Sequence, residues 1–79
     1  MGTPRRNIVE PLSRLGVAVR SRREAVGLSQ EELGSLADLH RTYVGSVERG
    51  ERNITTLCLI RLAKALNMLP SELLERSGL

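Results

Sequence analysis

Residues 28–53 read LSQEELGSLADLHRTYVGSVERGERN, two short helical patterns joined by a tight turn. Ser29 is placed to cap the first pattern, its hydroxyl accepting from N–H groups of the next turn, and Glu32 three residues on completes a capping box. Leu33, Leu36 and Ala37 then fall at helical spacing as one apolar stripe. Asp38 tolerates the left-handed conformation needed at a helix end. A second pattern opens at Arg41, with Val44 and Val47 apolar and Tyr43 beside them; Arg41, Thr42, Gly45, Ser46 and Arg49 lie on its other face, and Gly50 stops it. A helix of about two turns is not stable alone. It needs a neighbour under its apolar side and offers its polar side outward, which is the layout of a helix-turn-helix whose second helix enters a DNA groove.

The rest of the chain bounds this reading. Its 79 residues leave room for one domain with a modest core, so self-association would help stability. With one Tyr and no Phe or Trp, that core must be aliphatic. At 41% hydrophobic and 27% charged the composition is that of a soluble globular domain, and no apolar run approaches the roughly 20 residues of a membrane span. No signal peptide is visible, and Cys58 stands alone, so neither an internal disulfide nor a zinc cluster is available; a cytoplasmic protein without metal or cofactor is expected. The net charge is +3, and every cation but Lys64 is Arg, a side chain suited to phosphate and to guanine edges. The charge is uneven: 1–29 sum to +4 and 30–53 to −2, so the helical pair is not itself a basic patch.

In chain order, 1–11 reads as a flexible arm, with Gly2, Pro4, Pro11 and the pair Arg5-Arg6; it is either a tail or a segment that lies along DNA. A first helix is expected over about 12–26, burying Leu12, Leu15, Val19 and Val26, with Pro11 at its entrance and Gly27 past its end. Arg22 is expected to lay its stem on the core and keep its head in water. A further helix is expected over 54–66, capped by Thr55, with Leu59, Leu62, Ala63 and Leu66 on one stripe, Leu57 and Ile60 on another face, and Asn67 as its stop. Pro70, Ser71 and Glu72 open a last short helix without a side-chain cap at Leu69. The expected domain is 12–76, its motif 29–50, and its tail 77–79.

The runs LSQEELG, HRTYVGSVERGERN, LIRLAKALN and PSELL resemble the XRE-type, lambda-repressor-like helix-turn-helix regulators of bacteria, and the RTY…VERGERN run looks most like the controller proteins of restriction–modification systems. The resemblance spans about 12–74. It implies a compact all-α, five-helix DNA-binding domain, a pairing of Arg23 with Glu48 that pins the second motif helix, and a Gln30 that braces the DNA backbone.

Specificity for DNA comes from side chains reaching base edges in the major groove. Arg41, Thr42, Ser46 and Tyr43 are the expected readers: Arg41 for a bidentate contact with guanine, Thr42 for a base edge or a thymine methyl. Tyr43 has two alternatives, stacking on the sugar–phosphate or covering the core. Gln30, Arg49, Arg52, Asn53 and His40 are expected at phosphates, with His40 also a helix-boundary residue. Leu57, Ile60, Leu69 and Leu73 are expected at a dimer surface. Nothing favours an enzyme: there is one His, no phosphate loop, and Ser29 is explained as a cap. The expectation is a transcriptional regulator bound as a homodimer to a near-palindromic operator in double-stranded DNA, without a membrane or a small-molecule ligand. Another regulator of the same type, a phage-type repressor or an antitoxin, and a protein-interaction module that has lost DNA binding, are the alternatives.

Overall fold

The computed structural model describes residues 9–79, and within them five helices and no strand. The part of the expected arm at 1–8 lies outside the described residues. α1 is Val9–Ala25, α2 Gln30–Ala37, α3 Arg41–Glu48, α4 Thr56–Ala65 and α5 Pro70–Arg76.

α1 starts three residues ahead of the expected boundary. Pro11 sits inside its first turn, where the missing N–H has no intrahelical partner to lose, and Glu10 complements the positive end of the helix dipole. Leu15, Ala18 and Val19 are buried, but Val26 is not: the helix has ended, and its side chain is exposed. Gly27 takes φ 78°, and the N–H of Leu28 returns to the Arg23 carbonyl at 3.0 Å, closing the helix end.

α2 has the expected box: the Glu32 N–H donates to Ser29 Oγ at 3.0 Å, and the Ser29 N–H donates to the Glu32 carboxylate at 2.8 Å. Its buried stripe is Leu33, Gly34 and Ala37, however, and Leu36 is exposed. The turn folds back over Gly34, where a β-carbon would stand 2.5 Å from the Leu39 carbonyl oxygen. Neighbours therefore press on the Leu33–Gly34 side, and Leu36, turned away from it, meets solvent. Asp38 adopts φ 58°, the left-handed stop.

α3 packs on α1 and α2, α4 on α2 and α5, and α5 closes back on α1. α4 is capped by Thr55, whose hydroxyl accepts from the Cys58 N–H at 3.1 Å, and is a residue or two shorter at each end than expected. Asn67 ends it at φ 58°. α5 forms although Leu69 offers no capping side chain: the Glu72 carboxylate accepts from the Leu69 N–H at 2.8 Å, which is half a capping box. The supposed tail belongs to this helix end, since Ser77 is buried and its hydroxyl donates to the Leu73 carbonyl at 2.8 Å.

Val19, Leu33, Val44, Leu62, Leu66 and Leu73 are the largest fully buried side chains. Each contributes about 1.5–3 kcal/mol relative to exposure. Arg22 departs from the snorkelling expected of it. It is half-buried, and its Nε donates to the Leu66 carbonyl at 3.1 Å, satisfying a group at the end of α4 that the helix cannot.

Candidate nucleic-acid interface

α3 is fixed from beneath and from its far end. Val44 and Val47 are buried against α1 and α2. Gly16 lets α1 come unusually near: a β-carbon there would collide with the Val47 carbonyl oxygen and stand 2.5 Å from that of Glu48. Glu48, at the last turn, accepts from Arg23 Nε at 2.6 Å and Nη2 at 3.0 Å, and Arg23 Nη1 donates to the Leu28 carbonyl at 2.9 Å. The bond to Glu48 holds the Arg23 guanidinium above its ordinary pKa. Sequence reasoning had no signal for a third bond: Gln30 Nε2 also donates to Glu48, at 3.0 Å, so α1, α2 and α3 meet at one carboxylate. Because that carboxylate is almost wholly withdrawn from water, the three bonds are what keep its charge tolerable there.

At its near end α3 is capped by His40, whose Nδ1 accepts from the Thr42 N–H at 3.0 Å. His40 is exposed and is the boundary residue of α3. Arg41 and Thr42 follow, both exposed, both on the first turn. Neither makes a hydrogen bond through its side chain among the described residues, and both side chains are open to solvent.

Ser46 does not join them. It is 7% exposed, its Oγ donates to the Tyr43 carbonyl at 2.7 Å and accepts from Arg52 Nε at 3.2 Å. The hydroxyl is engaged inside the protein and is corrected from base reader to internal residue. Spacing placed Ser46 one turn from Thr42; it gave no warning that the loop after α3 folds back over that position. Gly45 is likewise covered, by the Gln30 amide and the Arg49 guanidinium, which a β-carbon would meet at 3.4 and 3.1 Å.

Tyr43 is half-buried and lies under Arg52, whose guanidinium carbon is 5.2 Å from the ring centroid. Burial, then a hydrogen bond with Cys58, pushes the phenol up to about 12. Bonds from Thr55 and Tyr43 pull the Cys58 thiol down in turn. One side of the ring packs against the core, which is the covering role, and the other carries Arg52. Arg49, Arg52 and Asn53 are exposed on the loop after α3; Arg49 is partnered by Glu51 at 3.1 Å, whereas Arg52 has no acidic partner among the described residues.

Away from this face, Leu57, Ile60 and Leu69 are exposed at 56%, 43% and 63%. Leu73 is corrected: it is 0% exposed in its own core, because α5 turns that side towards the protein, and it cannot contribute to a contact between copies. A groove runs between α1 and α5 past Val17, Ala18 and Arg76, and none of its lining residues belongs to α2 or α3. Among the described residues no cluster of His, Cys, Asp or Glu is placed to hold a metal ion, and no helix is long and apolar enough to cross a membrane.

The helix-turn-helix family pattern matches residues 19–74. Control protein C.SmaI of Serratia marcescens is 59% identical over 61 residues, covering 77% of this chain and 73% of that one. The crystal structure of the restriction–modification controller protein C.AhdI from Aeromonas hydrophila superposes with a TM-score of 0.77 at 48% identity, over 78% of this chain and 94% of that one. The controller protein C.Esp1396I, solved as a tetramer in complex with its natural 35-base-pair operator, superposes with a TM-score of 0.79 at 29% identity, over 86% and 90%. The chain belongs to the helix-turn-helix family of regulators, in the company of the restriction–modification controller proteins.

Proposed function

We propose that this chain is the controller of a restriction–modification system: a cytoplasmic transcriptional regulator that binds a near-palindromic operator as a homodimer through the helix beginning at Arg41. The observation that carries this is the first turn of α3. Arg41 and Thr42 stand exposed, their side chains without a hydrogen bond among the described residues, on a helix whose other contacts are fixed by Val44, Val47 and the Arg23–Glu48 pair. Such a rigid mount holds the polar tips in register with base edges, which loose side chains would not do.

In this reading Arg41 donates to guanine O6 and N7, and Thr42 meets a base edge or a thymine methyl. Tyr43 lies at the margin, against sugar and phosphate. Gln30 has one amide hydrogen on Glu48 and keeps the other for a phosphate oxygen. Arg49, Arg52, Asn53 and His40 border the same face and supply backbone contacts, which set position and salt dependence. Leu57, Ile60 and Leu69 form the surface between two copies, and a two-fold pair presents its reading helices to half-sites about 34 Å apart. The assembly of C.Esp1396I on its own operator supports a multimeric complex here. Operator filling then follows protein concentration.

Footprinting the purified protein on the DNA upstream of its own gene tests this. Protection of two symmetric half-sites, weakened by salt, is expected; absence of salt-sensitive protection there overturns it.

A further inference from the structure

Ser46 lies at the centre of a one-way chain of hydrogen bonds. Its hydroxyl hydrogen goes to the Tyr43 carbonyl at 2.7 Å, which leaves the oxygen's lone pairs for the Nε–H of Arg52 at 3.2 Å. The same guanidinium lies over the Tyr43 ring, 5.2 Å from its centroid. An exposed arginine on a loop ordinarily samples many rotamers, and holding one of them has an entropic cost. Here the guanidinium is flanked by the ring on one side and held at Nε by Ser46. Nη1 and Nη2 take part in no hydrogen bond among the described residues. The other arginines that flank the motif differ: Arg23 is bound to Glu48, and Arg49 to Glu51.

We propose that Ser46 is a positioning residue for DNA binding: its buried hydroxyl holds Arg52 by Nε against Tyr43, so that the two terminal nitrogens are aimed in advance at a phosphodiester oxygen pair of the operator backbone. The proposal rests on the DNA-binding reading above and adds a residue that never touches DNA. Ser46 would act on affinity only through Arg52. Preorganisation of this kind lowers the ordering cost of binding without adding a contact.

The test is a double-mutant cycle with S46A and R52A on a duplex containing the footprinted site, together with amide and side-chain NMR of the free protein. Alanine suits an interior helical position at least as well as serine, so S46A should keep its helical content and unfolding midpoint. It should weaken operator binding about three- to tenfold, the size of one hydrogen bond's worth of ordering. In the R52A background the same change should have no further effect. In free protein, the Arg52 Nε–H should exchange with solvent faster once Ser46 is replaced. Equal losses with and without Arg52, no loss at all, or an unchanged Nε–H would overturn the proposal while leaving DNA binding intact. Failure of the unaltered protein to bind the duplex would instead overturn the functional reading, and this inference with it.

Discussion

Glu48 and Arg23, separated by 25 positions, form a two-pronged bond of 2.6 and 3.0 Å with side chains only 3% and 11% exposed. The pair ties the last turn of α3 to α1 where both charges are largely withdrawn from water. Removing one partner strands the other. E48A or R23A should therefore lose about 3–5 kcal/mol of stability, a large share of the total for a small domain. The double change to apolar residues should recover much of it. Urea unfolding checks both. Because the Arg23 pKa is raised from an already high value, its contribution is fully present throughout the neutral and mildly alkaline range and is lost only above the ordinary arginine pKa.

Arg41 and Arg52 should fail in different ways. R41A should cost about 1–3 kcal/mol of operator binding and relax the preference at one base position. R52A should weaken all sequences nearly alike and reduce the slope of log K against log salt by about one. Titrations on operator and scrambled duplexes at several salt concentrations separate the two. No effect of either change would favour an interaction module that does not bind DNA.

Tyr43 gives the protein an alkaline limit. Its phenol is held neutral to about 12 against an ordinary 10.0. The stability tied to it is complete below the unfolded value of about 10 and is lost as pH rises towards about 12. As the chain has a single Tyr, phenolate absorbance reports this group alone. Stability curves of Y43F should lack the fall over that interval.

The surface of Leu57, Ile60 and Leu69 can be tested without disturbing the protomer. I60E, alone or with L57E, should weaken self-association at least about tenfold in sedimentation velocity. Stability of the single chain should move by no more than about 0.5 kcal/mol, since both side chains are exposed. Persistence of the dimer would remove this face from the interface.

Gly16 reverses a familiar rule. Alanine in a helix interior is ordinarily favoured over glycine by about 1 kcal/mol. At this site the added carbon meets the backbone carbonyls of Val47 and Glu48, which cannot swing aside. G16A should destabilise by about 1–3 kcal/mol in thermal unfolding, as overpacked cores do. It should also weaken operator binding beyond what the stability loss explains, because α3 must tilt.

Much of this was legible in the sequence because it is local. Ser29, Glu32, Asp38, Thr55 and Asn67 act on backbone groups a few residues away, and short-range spacing announces such roles. Leu36, Ser46 and Leu73 were misplaced for the opposite reason. Whether each faces water depends on which element arrives from elsewhere, and a helix of seven or eight residues offers too few turns to fix its inner side from periodicity. The hydrogen bond from Arg22 to Leu66 spans 44 positions, and the approach at Gly16 depends on where α3 lies; neither leaves a mark in the residues beside it. Arg23 and Glu48 were linked in advance only through family likeness.

Leu73 is wholly buried within a single chain. In the proposed dimer each copy would therefore bring a finished core, and pairing would be an encounter between ready-made bodies rather than mutual completion. Dilution should halve the particle mass while the circular dichroism of each chain stays constant, so a cell could accumulate intact subunits well before any of them combine.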